Sequence, residues 1–392
     1  MQVRHPLRAL VNLAVRKAPV EAQLIVTRRC NLSCGYCTEY DNVSSMVPLE
    51  TLERRIDALH KLNVVNISLL GGEPLMHPEL PAIVAYGDRR AQVSVTTNGF
   101  LITEELIGRL NRSGLANMEV SIDSVKPDRT AYIQKCLKTI RPKLALLRRH
   151  ATFDVHVNLV LCDQTKDDFT NTIHELDALG FRVSIDLLHD SKGAVAIGGD
   201  EYVSLWKRYY ADAVPFSYIE ERYGEQLLRG ERPEWHCRAG SRFLYVDEFG
   251  NVQFCSAQRG RLGTSVLEYT REDLRTHSQS HKGCESGCSL LCHFRDSAID
   301  NQPLSAAASL VKVMLRAGRR RKTPAPSAAS IESVASESSM AAFTPDTTKP
   351  VAATQAAMTP SPKPESFPDP RAQYAPAPGG RHVSRPHAAE PI

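Results

Sequence analysis

The chain has 392 residues, a formal net charge of +4 and 42% hydrophobic residues. A chain this long buries a core without covalent staples, so its ten cysteines do not read as a disulfide framework. No stretch reaches membrane-span length, the basic residues 1–20 hold only the short apolar run 10–15 broken by Asn12, and no basic stripe interleaved with aromatics suggests nucleic acid. These features point to a reducing, cytoplasmic setting.

The first strand is the short apolar run 23–27, and Cys30, Cys34 and Cys37 follow it with the spacing C-x3-C-x2-C. Three thiolates from one loop can hold iron and leave a fourth coordination position open. The alternative is a zinc knuckle, which needs a fourth nearby ligand, and the nearest histidine is His60. A second strand, 64–70, runs into Gly71-Gly72-Glu73-Pro74. Glycines there let the backbone approach a ligand, and Pro74 holds Glu73 extended. Strands 93–99 and 117–123 end in polar residues, so Thr97, Asn98, Ser121 and Asp123 are expected to converge where a parallel sheet gathers ligands. The plainer alternative is that Asn98-Gly99 is a turn and that Ser121 and Asp123 cap the next helix.

Strands 153–161 and 181–187 complete the series, with amphipathic helices expected at 49–62, 79–89, 104–111, 131–149 and 166–179. Strand and helix alternating six times predict an α/β chain with a parallel sheet and right-handed crossovers. Asn158 on the fifth strand is expected to face the same mouth or to be a satisfied core residue.

The cysteine loop, including Tyr36 before its third cysteine, resembles the cluster motif of the radical S-adenosylmethionine (SAM) superfamily, and the Gly-Gly-Glu-Pro turn follows in the order of that family. The resemblance implies a partial (β/α)6 barrel in which Cys30, Cys34 and Cys37 hold a [4Fe-4S] cluster whose fourth iron is chelated by SAM. It assigns Gly72 and Glu73 to the methionine amino group. It assigns the polar strand ends Thr97, Asn98, Ser121 and Asp123, with Asn158, to the rest of SAM. The activity it implies is that of an oxidoreductase in which a 5'-deoxyadenosyl radical abstracts hydrogen from the substrate.

Beyond residue 200, aromatic and charged residues suggest a helical linker over 201–236, and then cysteines return. Cys237 and Cys255 flank a hairpin with Gly250 at its turn, followed by Cys284, Cys288 and Cys292 at the spacing C-x3-C-x3-C. This group resembles the SPASM and twitch extensions, which carry auxiliary clusters. A full SPASM set has seven motif cysteines and the C-x2-C-x5-C spacing is missing here, so the expectation is one auxiliary [4Fe-4S] cluster. Cys237, Cys255 and Cys292 are its firmer ligands, and Cys288 or Cys284 is the fourth. Zinc, with His281 or His293, and buried free thiols are the alternatives. Cys136 and Cys162 read as ordinary buried thiols.

The expected organisation is a basic segment 1–20, a barrel 21–200, a linker 201–236, an auxiliary-cluster region 237–300, a basic amphipathic segment 301–322 and a disordered tail 323–392 rich in Pro, Ala, Ser and Thr. The basic amphipathic ends can dock on the barrel or lie on an anionic membrane surface. The expected partners are an unidentified substrate and an electron donor such as flavodoxin or ferredoxin, without nucleic acid. The leading functional expectation is radical chemistry on a small molecule, sugar or lipid-linked precursor. A peptide or protein maturase is the second, disfavoured by the short stretch before the first strand. A noncatalytic iron-sulfur or zinc protein is the third.

Overall fold

A computed structural model describes residues 6–34, 37, 39–41, 43–125 and 135–320. Tyr36, the expected helical start at 131–134 and the expected tail at 323–392 lie outside the described residues.

Six strands run parallel in chain order: β1 (Glu21–Thr27), β2 (Asn66–Gly71), β3 (Gln92–Thr97), β4 (Asn117–Ser121), β5 (Asp154–Leu161) and β6 (Arg182–Leu187). Between them come helices α2 (Leu49–Lys61), α3 (Leu80–Asp88), α4 (Glu104–Ser113), α5 (Leu137–His150) and α6 (Lys166–Ala178), after a short N-terminal α1 (Pro6–Leu10). The expected α/β architecture is therefore present, with boundaries shifted by a few residues. On the helix-covered face, apolar residues recur at every second position of the strands. Ala22, Leu24 and Val26 of β1, Ile67 and Leu69 of β2, Val93 and Val95 of β3, and Met118 and Val120 of β4 are buried together with helix residues such as Leu52, Ile56, Leu59 and Ile83 in one continuous core. Burying each large aliphatic side chain contributes roughly 1.5–3 kcal/mol, so this layer holds the helices against the sheet.

The strands do not stop at six. Helices α7 (Asp200–Asp212) and α8 (Glu221–Leu228) follow β6, then β7 (Phe243–Val246), β8 (Asn251–Gln253) and β9 (Thr264–Ser265). The nine-stranded order is β6-β5-β4-β3-β2-β1-β7-β8-β9, and β7 pairs in parallel with the outer edge of β1, with Glu21 opposite Phe243 and Leu24 opposite Val246. The cysteine-bearing hairpin thus extends the barrel sheet. The expected linker is also part of the core, since Tyr202, Trp206, Tyr209, Tyr210 and Tyr223 are buried in the same cluster as the strands. Aromatic residues at helical spacing were the readable signal of that packing.

Helices α9 (Arg271–Gln279), α10 (Leu291–Asn301) and α11 (Pro303–Arg320) close the described chain. Arg242, 1% exposed, sends Nε and Nη2 to the two carboxylate oxygens of Asp300 at 2.8 and 2.7 Å and Nη1 to the Ala18 carbonyl at 2.8 Å. This fork ties the entry to β7, the end of α10 and the segment leading into β1. The terminal helices dock. Arg8 donates to the Arg90 carbonyl, and Arg316 donates to the Tyr210 carbonyl and the Tyr218 hydroxyl. Leu7, Leu10, Leu304, Leu310, Met314 and Leu315 nevertheless face outward. Among the described residues no helix is long and apolar enough to cross a membrane. Arg242→Met is expected to cost about 3 kcal/mol, because it leaves a largely buried carboxylate with only the exposed Lys17 as an ion-pair partner. Urea unfolding of the two proteins side by side checks this value.

Candidate active site at the strand ends

The cysteine loop leaves the end of β1 just where β2 arrives. Gly71 has φ 144°, and a Cβ on it would lie 1.8 Å from the Thr27 carbonyl oxygen. A Cβ on Gly72 would lie 2.4 and 2.3 Å from the carbonyl oxygens of Arg28 and Arg29. Only glycine permits this crossing. Once made, it is locked by two backbone bonds, Gly72 N–H to Thr27 O at 2.9 Å and Glu73 N–H to Arg29 O at 2.8 Å.

Glu73 has no exposed surface. Its Oε1 accepts from Leu75 N–H at 2.9 Å and the Thr97 hydroxyl at 2.8 Å, and its Oε2 accepts from Asn98 N–H at 2.8 Å. Burial pushes its carboxyl up, and these hydrogen bonds oppose the shift by favouring the charged form. One carboxylate therefore joins the end of β2 to the end of β3. Asn98 passes the link onward, its Nδ2 lying 2.7 Å from Asn31 Oδ1 and 3.8 Å from Cys30 Sγ.

The three loop thiols act on one another electrostatically, and Lys135 acts on each of them. Burial raises the Cys34 thiol to about 11. Among the described residues no three His, Cys, Asp or Glu side chains are drawn together as a metal shell. The chemistry of the donor set still fits an iron-sulfur site: three soft ligands share one loop and a buried ammonium faces them. Lys135 lies 3.3 Å from Asp123 Oδ2. Burial disfavours its charge, but Asp123, Cys34 and Cys37 outweigh burial and raise its pKa. Lys135 was not anticipated, because the sequence pattern put it inside a helix that begins only at Leu137.

Asp123 pairs with Lys135, and the helix that follows is preceded by Cys136 without a side-chain cap, so Asp123 does not cap that helix. Thr97 and Asn98 meet at Glu73, as above. Ser121 is half-buried at the end of β4, opposite Asn158 of β5. Asn158 donates to Asp186 Oδ2 and accepts from the Ser184 hydroxyl, both at 2.8 Å, so its amide is engaged within the wall.

Below the strand ends, the inner face of the sheet is polar, a feature the strand-end reading missed. Ser94 donates to Asn66 at 2.7 Å, and His156 Nε2 lies 2.9 Å from Glu119 Oε2. The signal was present as strict alternation, for instance Asn117-Met-Glu-Val-Ser and Arg182-Val-Ser-Ile-Asp.

Beyond Cys237, the second cysteine group lies on three elements of the extension. Cys237, Cys255, Cys284 and Cys288 influence one another, and burial raises Cys237 and Cys255 each to about 12. The charges acting on Cys292 come from Arg295, Asp186, Glu21 and Asp296, with no cysteine among these main influences. Cys284 and Cys288 flank a 3-10 turn (Glu285–Gly287), whereas Cys292 belongs to α10. The single helical face on which spacing would align all three does not form. The extension is bound to the first loop by Tyr245 of β7, whose hydroxyl donates to Glu39 at 2.6 Å, and Glu39 pairs with Arg28 at 3.1 Å.

Glu73→Gln turns one acceptor edge into a donor facing donors. It is expected to lower stability by about 1–3 kcal/mol, and chemical denaturation checks this. Gly72→Ala, which drives a methyl into two carbonyls, is expected to abolish iron retention at the first loop, read by iron and sulfide analysis.

The sequence model of the radical SAM superfamily matches residues 24–176. A probable GTP 3',8-cyclase of Aeropyrum pernix is 28% identical over 256 residues, covering 60% of this chain and 68% of that protein. The PqqA peptide cyclase of Granulibacter bethesdensis is 26% identical over 161 residues, covering 40% of this chain and 43% of that protein. The chain thus spans about two thirds of the first relative and less than half of the second. The crystal structure of Streptococcus suis SuiB bound to precursor peptide SuiA superposes with a TM-score of 0.53 at 16% identity over 74% of each chain, a likeness of fold. With its thiol loop, glycine crossing and parallel sheet in this arrangement, residues 24–176 match the radical SAM superfamily, and the chain is similar to enzymes of that superfamily.

Proposed function

We propose that Cys30, Cys34 and Cys37 hold the [4Fe-4S] cluster that the superfamily implies and that the adjoining strand ends bind SAM. A cluster held by these thiols would supply the single electron for reductive cleavage of SAM, and with it radical chemistry at an unactivated carbon. The residues around it divide the remaining work. The N–H groups of Gly72 and Glu73 are already spent on Thr27 and Arg29, which leaves the Gly72 carbonyl to meet the ammonium of SAM. Glu73, whose carboxylate accepts three hydrogen bonds, acts as a positioning residue. Thr97 and Asn98 border the ribose, and Ser121, Asp123 and the Lys135 ammonium border the carboxylate.

The substrate of this reading is a small polar molecule, a sugar or a lipid-linked precursor. The observation that carries it is the polar inner wall, where Glu119, His156, Asn158, Ser184 and Asp186 present hydrogen-bonding groups on adjacent strands. Peptide maturation is the second reading, supported by the relative named PqqA peptide cyclase. An auxiliary [4Fe-4S] cluster on Cys237, Cys255, Cys284 and Cys288 completes the proposal. So do an electron donor such as flavodoxin or ferredoxin, a cytoplasmic location and peripheral membrane contact through the basic amphipathic ends. The proposed organisation keeps the barrel at 21–200 and the cluster-bearing extension at 237–300.

Anaerobic reduction of reconstituted protein with SAM is expected to yield 5'-deoxyadenosine, and Cys30→Ala, Cys34→Ala or Cys37→Ala to abolish it. Product formation independent of those thiols would contradict the assignment. Cys237→Ala combined with Cys255→Ala is expected to remove about four irons per chain, the content of one four-iron cluster. An unchanged iron count would contradict the auxiliary site.

A further inference from the structure

Both terminal segments of the described chain carry their large apolar residues on the side away from the protein. In α11 the residues withdrawn from solvent are Ala306, Ser309, Val313 and Arg316, whereas Leu304, Leu310, Met314 and Leu315 face outward, Leu304 with 85% of its surface exposed. A helix that only covered the barrel would turn its leucines inward. The N-terminal segment repeats the inversion. Asn12 of its π-helical turn (Val11–Val15) is 2% exposed and donates to the Asn63 carbonyl at 3.1 Å, while Leu7, Leu10 and Val15 point to solvent. The other exposed large apolar side chains among the described residues, Val43, Leu101, Phe249 and Leu267, belong to separate loops. Exposed apolar surface gathered in this way marks a contact face.

Charge says what the face meets. Residues 1–20 and 303–322 contain no aspartate or glutamate. Arg8 donates to the Arg90 carbonyl, Arg16 to Asn63 Oδ1 at 2.7 Å, and Arg316 to the Tyr210 carbonyl and the Tyr218 hydroxyl. Among the described residues none of these three pairs with a carboxylate, so their positive charge is not neutralised; Lys17 and Lys312 do pair, with Asp300 at 3.6 Å and Glu221 at 3.4 Å. The two segments also share one end of the sheet. Asn63 and Arg90 lead into β2 and β3, and Tyr218, whose N–H donates to the Ser309 hydroxyl at 2.8 Å, closely follows Pro215, which bridges to Val183 at the start of β6. Both therefore lie where the parallel strands begin, opposite the strand ends of the proposed SAM site.

We propose that α11 and the segment 6–15 form an interfacial surface that seats the strand-start end of the barrel on an anionic lipid bilayer. The proposal rests on the peripheral membrane contact named above and deepens it, and it is independent of the chemistry of the cysteine loops. The outward leucines and Met314 enter the boundary between headgroups and acyl chains, and the unneutralised arginines meet lipid phosphates. Seated in this way, the barrel turns its strand ends toward the aqueous side, where SAM and a soluble reductant reach them.

Co-sedimentation of the full-length, iron-loaded protein with vesicles tests this. Vesicles of phosphatidylcholine with phosphatidylglycerol are expected to carry the protein down, vesicles of phosphatidylcholine alone to leave most of it in solution, and added salt to weaken the binding. Leu310→Ser combined with Leu315→Ser is expected to weaken binding at least about tenfold, and Leu7→Ser combined with Leu10→Ser to act in the same direction, each with the iron content of the parent. No binding by the parent, equal binding to both kinds of vesicle, or variants that bind like the parent would overturn the proposal. Iron loss in the variants would overturn it by making these leucines part of the fold. A parent dimer in light scattering that Leu310→Ser with Leu315→Ser splits into monomers would overturn it in favour of a second copy of the chain. Formation of 5'-deoxyadenosine without vesicles is expected to be equal in parent and variants. Its absence from all of them would overturn the radical SAM reading and leave the lipid surface standing.

Discussion

Two stretches of backbone meet at the top of the sheet with no space for a Cβ between them. Gly71 and Gly72 press against the carbonyls of Thr27, Arg28 and Arg29, and the contact fixes where the thiol loop leaves β1. The buried carboxylate of Glu73 then binds the end of β3 to the same point. A buried charge is costly unless fully hydrogen-bonded, and three short bonds meet that demand. The loop, the turn and the third strand are thus tied together at one point, the fixed geometry that a cofactor site requires.

The C-terminal hairpin belongs to this arrangement through the sheet itself. β7 continues β1 on its outer edge, so the cysteines of the extension are positioned by the strand that also launches the first thiol loop. The Tyr245, Glu39 and Arg28 chain repeats the connection with side chains, and Arg242 with Asp300 fixes α10 at its other end. Cys292 and Asp296 lie on this anchored α10, whereas Cys284 and Cys288 flank the 3-10 turn before it.

Much of this was readable in advance, for definable reasons. Strand and helix alternated with clear periods, so each of the six parallel strands was found within a few residues. The glycine pair was identifiable because its chemistry is local. What escaped the sequence depends on contacts between distant segments. Lys135 faces the thiols from just before α5, and no local pattern marks a lysine as buried. At i, i+4 and i+8 Cys284, Cys288 and Cys292 would share one helical face, but Gly283 and Gly287 weaken a helix there, and α10 indeed begins only at Leu291, after the 3-10 turn between the first two. The polar inner wall was present as alternation, yet it acquires meaning only once the parallel order stacks Glu119, His156, Asn158 and Asp186 along neighbouring strands.

The account stands on an open iron in the first thiol loop that SAM can reach. Mössbauer spectroscopy of iron-57-enriched protein, recorded with and without SAM, examines that iron directly. The account predicts that SAM shifts the signal of a single iron of the N-terminal cluster toward higher coordination and leaves the auxiliary cluster unchanged. A loop occupied by zinc, or a cluster whose spectrum does not respond to SAM, would contradict it.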